Sequence, residues 1–138
     1  MRSFLKIHSV FDFFFYAAIL LNAFPVLFLK FFPTLDGAAH LYNSNIIDQL
    51  LFNDKTVVHD FYCLNPFPVP NWTSHFIIGI AHLFFPAYIA EKIFLLIYFI
   101  CLPLSFNYFI KTLSPENTLL SFFIFPFCYS FLFYMGFY

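Results

Sequence analysis

Charged side chains are scarce in this chain of 138 residues. They make up 9% of the sequence, whereas a typical soluble domain has about 25%. The net charge is −1 with only six Lys and Arg, so the chain lacks the basic surface that binds nucleic-acid phosphates, and we expect no nucleic-acid partner. Hydrophobic residues make up 62%, and 26 residues are Phe. A domain of this size cannot hide so much apolar surface from water, so most of the chain must lie in lipid.

Cysteines and catalytic sequence motifs are also sparse. The three cysteines are an odd number; Cys101 and Cys128 lie in apolar runs, and Cys63 lies in a polar stretch without an evident partner. This pattern predicts no disulfide. The sequence contains no Gly-rich phosphate-binding loop, no GxSxG, no HExxH and no paired CxxC motif. The chemistries of the common soluble enzymes therefore have no basis here.

Four apolar runs dominate the chain. A hydrocarbon core about 30 Å thick needs about 20 apolar residues in a helix. The runs predict four transmembrane helices, over about residues 10–32, 72–86, 88–110 and 118–138. The first run is too long for a cleaved signal peptide, and no small-residue cleavage site follows it. Pro86 suits a helix start, so we expect the chain to reverse there, with Glu91 and Lys92 marking the turn. The predicted fold class is an all-α polytopic membrane protein.

The distribution of charge and the last apolar run suggest how the chain is organised. The fourth run reaches residue 138 without a polar segment after it. The sequence therefore predicts that residues 1–138 are a single membrane domain, the N-terminal part of a longer protein; a natural four-helix protein is the alternative. Arg2 and Lys6 precede the first helix and Lys30 follows it, which favours a cytoplasmic N-terminus. Residues 33–71 then form an external loop, and residues 86–92 lie inside.

The external loop contains a segment with helical periodicity. Residues 36–52 read DGAAHLYNSNIIDQLLF. The apolar side chains that recur at helical spacing are Ala39, Tyr42, Ile46 and Leu50, and the polar ones are Asp36, His40, Asn43 and Ser44. This pattern predicts an amphipathic helix at the membrane surface, with its polar face toward water.

Several polar residues in this loop could carry chemistry. Asp36 and His40 are one helical turn apart, so they could share a divalent metal or act as a base and its orienting partner. Asp36 could equally be the N-cap of the surface helix. His59 and Asp60 are adjacent, so their side chains point apart in an extended chain, and both could simply be solvated loop residues.

The second predicted transmembrane helix carries His75, Gly79 and His82 on one face. An ionisable side chain inside a membrane span is a functional candidate by default. The alternative is a neutral histidine that hydrogen-bonds to a neighbouring helix beside a small glycine. Asn22 and Asn107, in other spans, are predicted to make interhelical hydrogen bonds of this kind.

The order of these features resembles a known family. A transmembrane helix is followed by Phe32-Pro33-Thr34-Leu35-Asp36-Gly37, by His40-Leu41-Tyr42-Asn43 in the surface helix and by a proline-rich return; Asn71-Trp72 then opens helix two, and Ala90-Glu91-Lys92 begins helix three. This order resembles the N-terminal part of the GT-C-type membrane glycosyltransferases, the group of the protein-mannosyltransferases and aminoarabinose transferases. In particular it resembles uncharacterised polytopic proteins of Bacteroidetes-like bacteria.

The resemblance implies an activity and a set of site residues. It implies transfer of a sugar from a polyprenyl-linked donor, at the outer face of the bacterial inner membrane, to a lipid, glycan or protein acceptor. Members carry an essential acid in the first external loop, and Asp36 matches it by position, as the residue that deprotonates or orients the acceptor. Many relatives have two adjacent acids, whereas Gly37 follows here, so the need for a divalent metal stays open. The candidate substrate-binding residues are His40, Asn43, Asp60 and His75.

Two other functions remain open from the sequence. A transporter or flippase-like protein would place His82 and Asn22 on a substrate path inside the bundle. A non-enzymatic membrane assembly protein would use the external loop as a partner-binding surface. If the chain is part of an enzyme, we expect residues 1–138 alone to be inactive.

Overall fold

The computed structural model describes residues 10–53, 55, 57–67 and 72–136, and this part of the chain is helical without any strand. The prediction of an all-α fold is therefore confirmed. In chain order the helices are α1 (Val10–Phe28), α2 (Gly37–Phe52), α3 (Val58–Phe61), α4 (Trp72–His82), α5 (Ala87–Leu113), a 3₁₀ helix (Pro115–Ile124), α6 (Phe125–Cys128) and α7 (Phe131–Met135). Among the described residues, all three cysteines are free thiols.

Three helical segments of the described chain are long and apolar enough to cross a membrane. They are α1, α5 and residues Pro115–Met135, which comprise the 3₁₀ helix, α6 and α7 and which we call the third span. The chain is therefore a candidate multi-pass membrane protein. Helix α4 has 11 residues, which reach about 16 Å, roughly half of a hydrocarbon core. The second predicted span, over residues 72–86, is not confirmed, because α4 ends at His82, ahead of the extended Pro86.

Helix α5 lies at the centre of the bundle and contacts α1, α4 and the third span. Four side chains at helical spacing on α1 are buried, namely Phe15, Ile19, Ala23 and Val26. Phe32 is also buried, although it comes after α1, and its ring lies 5.6 Å from that of Phe133 and 6.5 Å from that of Phe99. The first predicted span is therefore shorter than expected, because the chain leaves the helix at Phe28 and inserts Phe32 into this aromatic cluster.

Polar contacts fix the direction of the long helices. Lys111 Nζ lies 3.1 Å from Asp12 Oδ1 at one end of the bundle, and Lys92 Nζ donates to the carbonyl oxygen of Leu27, 3.0 Å away, at the other. Helices α1 and α5 are thus antiparallel. The sequence predicted that residues 86–92 lie on the opposite side of the membrane from the end of the first helix. The contact between Lys92 and Leu27 shows that this prediction is wrong, because both lie at the same end of the bundle.

The two asparagines that were predicted to link helices behave differently. Ser121 Oγ donates to Asn107 Oδ1 at 3.0 Å, which confirms an interhelical hydrogen bond between α5 and the third span. The Asn22 side chain donates instead to the carbonyl oxygen of Ala18, one turn earlier in α1. The prediction is therefore wrong for the Asn22 side chain, although the backbone carbonyl of Asn22 accepts a hydrogen bond from the Tyr129 hydroxyl.

Candidate functional site

Helices α2 and α4 meet along a line of polar side chains, which we call the polar seam. Its members are His40, Ser44 and Asp48 of α2, and His75, Gly79 and His82 of α4. The α2 members are four residues apart, so they lie one above the other on one helix face. The pairs advance together along the two helices, from His40 with His75 to Asp48 with His82, so α2 and α4 run in the same direction.

One end of the polar seam is a pair of histidines. His40 Nε2 lies 2.9 Å from the carbonyl oxygen of Gly136, which can only accept, so this nitrogen carries a proton. His40 Nδ1 lies 3.1 Å from His75 Nε2. With both rings neutral, His75 donates to His40, and His40 donates to Gly136. Both nitrogens of the buried His40 are therefore engaged, and neither is available to a metal unless a hydrogen bond breaks.

The middle of the polar seam is a close contact between the two helices. Ser44 is fully buried, and its hydroxyl lies 2.8 Å from the carbonyl oxygen of His40 and 3.3 Å from that of His75. One turn further on, a β-carbon placed on Gly79 would lie 3.0 Å from Asp48 Oδ1. Gly79 therefore leaves the space that the Asp48 carboxylate occupies, which agrees with the alternative of a small residue that lets a neighbouring helix approach.

The other end of the polar seam is an acid–histidine pair. Asp48 Oδ2 lies 3.1 Å from His82 Nδ1. Burial raises the pKa of the Asp48 carboxyl, and the neighbouring His82 opposes this effect. When the imidazole is neutral, Nδ1 donates to the carboxylate and Nε2 stays unprotonated. Nε2 of His82 is then a base that can accept a proton or a hydrogen bond.

The orientation of α2 differs from the sequence prediction. Helix α2 spans almost the predicted residues, but His40 and Ser44 face α4 instead of water. Asn43 is exposed, as predicted, whereas the apolar residues Leu51 and Phe52 are exposed as well. The predicted direction of the polar face is thus wrong for His40 and Ser44. A polar face that meets a second polar face is buried, and the two helices then present apolar side chains outward.

Asp36 stands between the end of α1 and the start of α2. It precedes the first residue of α2, its side chain makes no capping hydrogen bond, and it is half-buried. Gly136 packs against it so closely that a β-carbon on this glycine would lie 2.8 Å from Asp36 Cβ. The alternative role as a hydrogen-bonding N-cap is therefore not realised, and the carboxylate is left for another partner.

A cavity of about 510 Å³ lies near the start of α2. Its lining includes Thr34 and Ala38, which flank Asp36 in sequence, together with His82 and Glu91. Glu91 was predicted to mark a turn, but it lies inside α5 and is only 3% exposed, so that prediction is wrong. Its Oε2 has no hydrogen-bond partner among the described residues. The cavity thus combines a buried carboxylate with a histidine that Asp48 orients.

The structure does not bring all of the predicted site residues together. His40 and His75 meet in the polar seam, whereas Asn43 and Asp60 are exposed and take no part in its hydrogen bonds. Asp60 lies in the short helix α3, where the neighbouring His59 contacts the carbonyl oxygen of Asn53 at 3.2 Å. Within the part of the chain that the structure describes, no three His, Cys, Asp or Glu side chains are grouped to hold a metal ion.

Sequence reasoning missed Asp48 and Glu91 as members of this region. Asp48 continues the four-residue spacing of His40 and Ser44, and that signal was available. No comparable signal existed for Glu91, because its burial depends on the packing of the chain after α1 against the start of α5. Comparison of the chain with protein-family models, with curated proteins and with solved structures gave no match in any of the three.

Proposed function

We propose that this chain is part of a multi-pass membrane enzyme that transfers a sugar from a polyprenyl-linked donor, with Asp36 as its acid–base residue. One observation carries the proposal: Asp36 has a half-buried side chain without a capping bond, and the neighbouring Thr34 and Ala38 line a cavity at the end of a bundle of candidate membrane spans. A substrate with its tail in lipid and its sugar in water needs a reactive group at this level. The resemblance to GT-C-type enzymes supports the same role.

The proposed reaction needs only groups that this region can supply. The Asp36 carboxylate takes the proton of an acceptor hydroxyl. The acceptor oxygen forms a bond to C1 of the sugar, and the bond between C1 and the phosphate oxygen breaks. Polyprenyl phosphate leaves with the electron pair. His40 and His75 keep α2 in place behind Asp36, and we no longer expect them to contact the substrate directly, because they bond to each other.

The number of membrane spans and the side on which Asp36 lies are also proposals. We infer three spans, namely α1, α5 and the third span, with α2 and α4 at the end where α1 stops and α5 begins. The contact of Lys92 with Leu27 supports this arrangement over four spans. We keep the proposals that the N-terminus is cytoplasmic and that the membrane is the bacterial inner membrane, which place Asp36 at the outer face.

Replacement of Asp36 tests the enzyme directly. Membranes that contain the full-length protein would be incubated with short-chain polyprenyl phosphates carrying ¹⁴C-labelled mannose, glucose or aminoarabinose. We expect Asp36→Asn to lower the transfer of label by at least about 100-fold, within the range that general acid–base catalysis contributes. The matched control is Glu116→Gln, an exposed acid at the other end of the bundle. Unchanged transfer by Asp36→Asn, at normal levels in the membrane, would refute the role of Asp36.

A second candidate function is transport, and the polar seam favours it. Four titratable side chains, His40, Asp48, His75 and His82, lie between α2 and α4. Asn22 lines a separate cavity of about 420 Å³ between α1 and the third span. If the protein is a transporter or flippase, His82→Gln should abolish substrate flux, while Asp36→Asn should not. The third proposal, an assembly protein, predicts that neither replacement changes flux or sugar transfer.

A further inference from the structure

Among the described residues, Glu91 is a buried acid without an ion-pair partner. Glu91 is 3% exposed, and its Oε2 has no hydrogen-bond partner in the described part of the chain. A buried carboxyl group takes up a proton unless a cation or hydrogen-bond donors compensate its negative charge. Because Glu91 also lines a cavity, a cation bound there can supply the compensation that the described residues do not.

The basic side chains near Glu91 are engaged elsewhere. Lys92 Nζ donates to the carbonyl oxygen of Leu27, and Lys30 Nζ lies 5.8 Å from the ring of Phe31 and 5.6 Å from the ring of Tyr88. Neither of the ion pairs seen among the described residues includes Glu91. The neighbouring His82 is bonded through Nδ1 to Asp48, so its other nitrogen is an acceptor when the ring is neutral.

The walls of the cavity suit a cation with N–H groups. The aromatic rings of Phe31, Phe32 and Tyr42 line it, and such rings attract ammonium groups through their faces. Glu91 lines the cavity and can supply a negative charge, and the unprotonated nitrogen of His82 can accept a hydrogen bond. The cavity of about 510 Å³ is large enough for a headgroup but not for a whole lipid.

The position of Glu91 within α5 favours a lipid headgroup as the group that carries this cation. Glu91 lies one turn into α5, a candidate span that begins at Ala87, so it is about 6 Å from the start of that span. The 27 residues of α5 are about 40 Å long, the thickness of a bilayer with its headgroup regions, so a span of this length places Glu91 near the inner edge of the headgroup region. Phe84 and Phe85, in the turn just before α5, are exposed apolar side chains beside which an acyl chain can lie.

We propose that this cavity binds the primary ammonium group of a lipid headgroup, with Glu91 as its counter-charge and His82 as a second acceptor. The inference rests on the proposed function only in placing a membrane lipid at this end of the bundle. It concerns binding alone and would hold for a transferase or a transporter. Its test does not measure sugar transfer, so its failure is distinguishable from a failure of the proposed function.

Native mass spectrometry of the full-length protein in mild detergent tests the proposal. The protein would be titrated with phosphatidylethanolamine, phosphatidylglycerol or phosphatidylcholine of the same acyl chains. We expect phosphatidylethanolamine to be retained at least about tenfold more strongly than phosphatidylglycerol, and more strongly than phosphatidylcholine, which has no N–H donor. Equal retention of phosphatidylethanolamine and phosphatidylglycerol would overturn the proposal.

Variants locate the site. Glu91→Gln keeps the shape of the side chain but removes its charge, so the preference for phosphatidylethanolamine should fall to that of phosphatidylglycerol. Glu116→Gln removes an exposed carboxylate at the other end and should keep the preference. A preference that persists in Glu91→Gln would show that Glu91 is not the counter-charge. Since Glu91→Gln could fail to fold, Ala38→Leu provides a second route, because it fills the cavity from the α2 side and should also abolish the preference.

A competition experiment shows whether the cavity binds a lipid or a free amine. Free ethanolamine at millimolar concentration should not displace phosphatidylethanolamine, because it lacks the acyl chains that hold the lipid at the bundle. Displacement by ethanolamine in wild type but not in Glu91→Gln would overturn the assignment to a lipid and would assign the cavity to a soluble amine.

Discussion

Two glycines have opposite structural roles, although both lie close to an aspartate. Gly136 has a φ of 89°, and a β-carbon there would lie 3.0 Å from the backbone nitrogen of Asp36. The β-carbon of an alanine at Gly79 would instead meet the end of the flexible Asp48 side chain. A side chain at Gly136 is therefore limited by the backbone conformation of this residue and by the backbone of Asp36. A side chain at Gly79 is limited only by a carboxylate that can move.

Alanine replacements should therefore separate the two glycines. We expect Gly136→Ala to destabilise the protein by about 1–3 kcal/mol, because the left-handed backbone is strained for alanine and Asp36 cannot move aside. We expect Gly79→Ala to be nearly neutral, because the gain in helix propensity offsets a small shift of Asp48. Thermal unfolding of both variants in the same detergent measures the difference. Equal midpoints for the two variants would contradict this explanation.

The raised pKa of Asp48 predicts a pH dependence of stability. Burial raises the pKa of the Asp48 carboxyl in the folded protein above the unfolded value of about 3.9. Ionisation of Asp48 therefore destabilises the fold as the pH rises from the unfolded pKa through the folded pKa. Asp48→Asn is neutral and can still accept a hydrogen bond from His82. We expect this variant to match the wild type near pH 4 and to be more stable as the pH rises toward 7.

Midpoints of thermal unfolding for wild type and Asp48→Asn, measured in parallel from pH 4 to pH 7, show whether the variant becomes the more stable of the two. A second variant, Asp60→Asn, controls for the loss of a negative charge, because Asp60 is exposed on α3. If Asp48→Asn is less stable than the wild type at every pH, the ionised pair with His82 is favourable overall, and our account of Asp48 is wrong.

At the scale of helices, sequence periodicity located α2 well but could not orient it. The pattern of residues 36–52 predicted a helix, and α2 covers Gly37–Phe52. The same pattern cannot tell whether a polar face meets water or another polar face. The matching stripe of His75, Gly79 and His82 on α4 was visible in the sequence, but the pairing of the two stripes depends on tertiary packing. The burial of Glu91 likewise depends on residues after α1 that no local pattern links to α5.

The α2–α4 pair is polar inside and apolar outside, which predicts contact with lipid on its outer surface. Phe76 is 63% exposed on α4, and Asn43 is an exposed polar residue of α2. In a background without Cys63 and Cys101, a water-soluble maleimide should label Asn43→Cys quickly and Phe76→Cys slowly. Comparable labelling of both positions in membranes would show that water, not lipid, surrounds α4. Labelling after denaturation controls for the number of thiols.

At the scale of the whole molecule, three and four spans differ in where the segment after α5 lies. Asn117 and Asp60 are exposed, and they lie after α5 and in α3, respectively. Three spans place them on opposite sides of the membrane, because only α5 crosses between them. Four spans place them on the same side.

An impermeant thiol reagent distinguishes the two arrangements. In intact cells, and in the same background without Cys63 and Cys101, we expect Asp60→Cys to be labelled and Asn117→Cys to be protected until the membrane is permeabilised. If both are labelled in intact cells, α4 crosses the membrane despite its 11 residues. If only Asn117→Cys is labelled, the three spans are correct but the N-terminus is external, and Asp36 would face the cytoplasm.

The hydrogen bond from His40 to Gly136 also sets an order of events during synthesis. The two residues are 96 positions apart, which corresponds to about 5 to 20 s of translation. Leu35 depends on the same late segment, because its amide donates to the carbonyl oxygen of Tyr134. The segment that carries Asp36 therefore emerges early but is fixed last. Until residues 134–136 leave the ribosome, neither His40 nor Leu35 has this hydrogen-bond partner, so the segment that carries Asp36 can reach its final position only after that point.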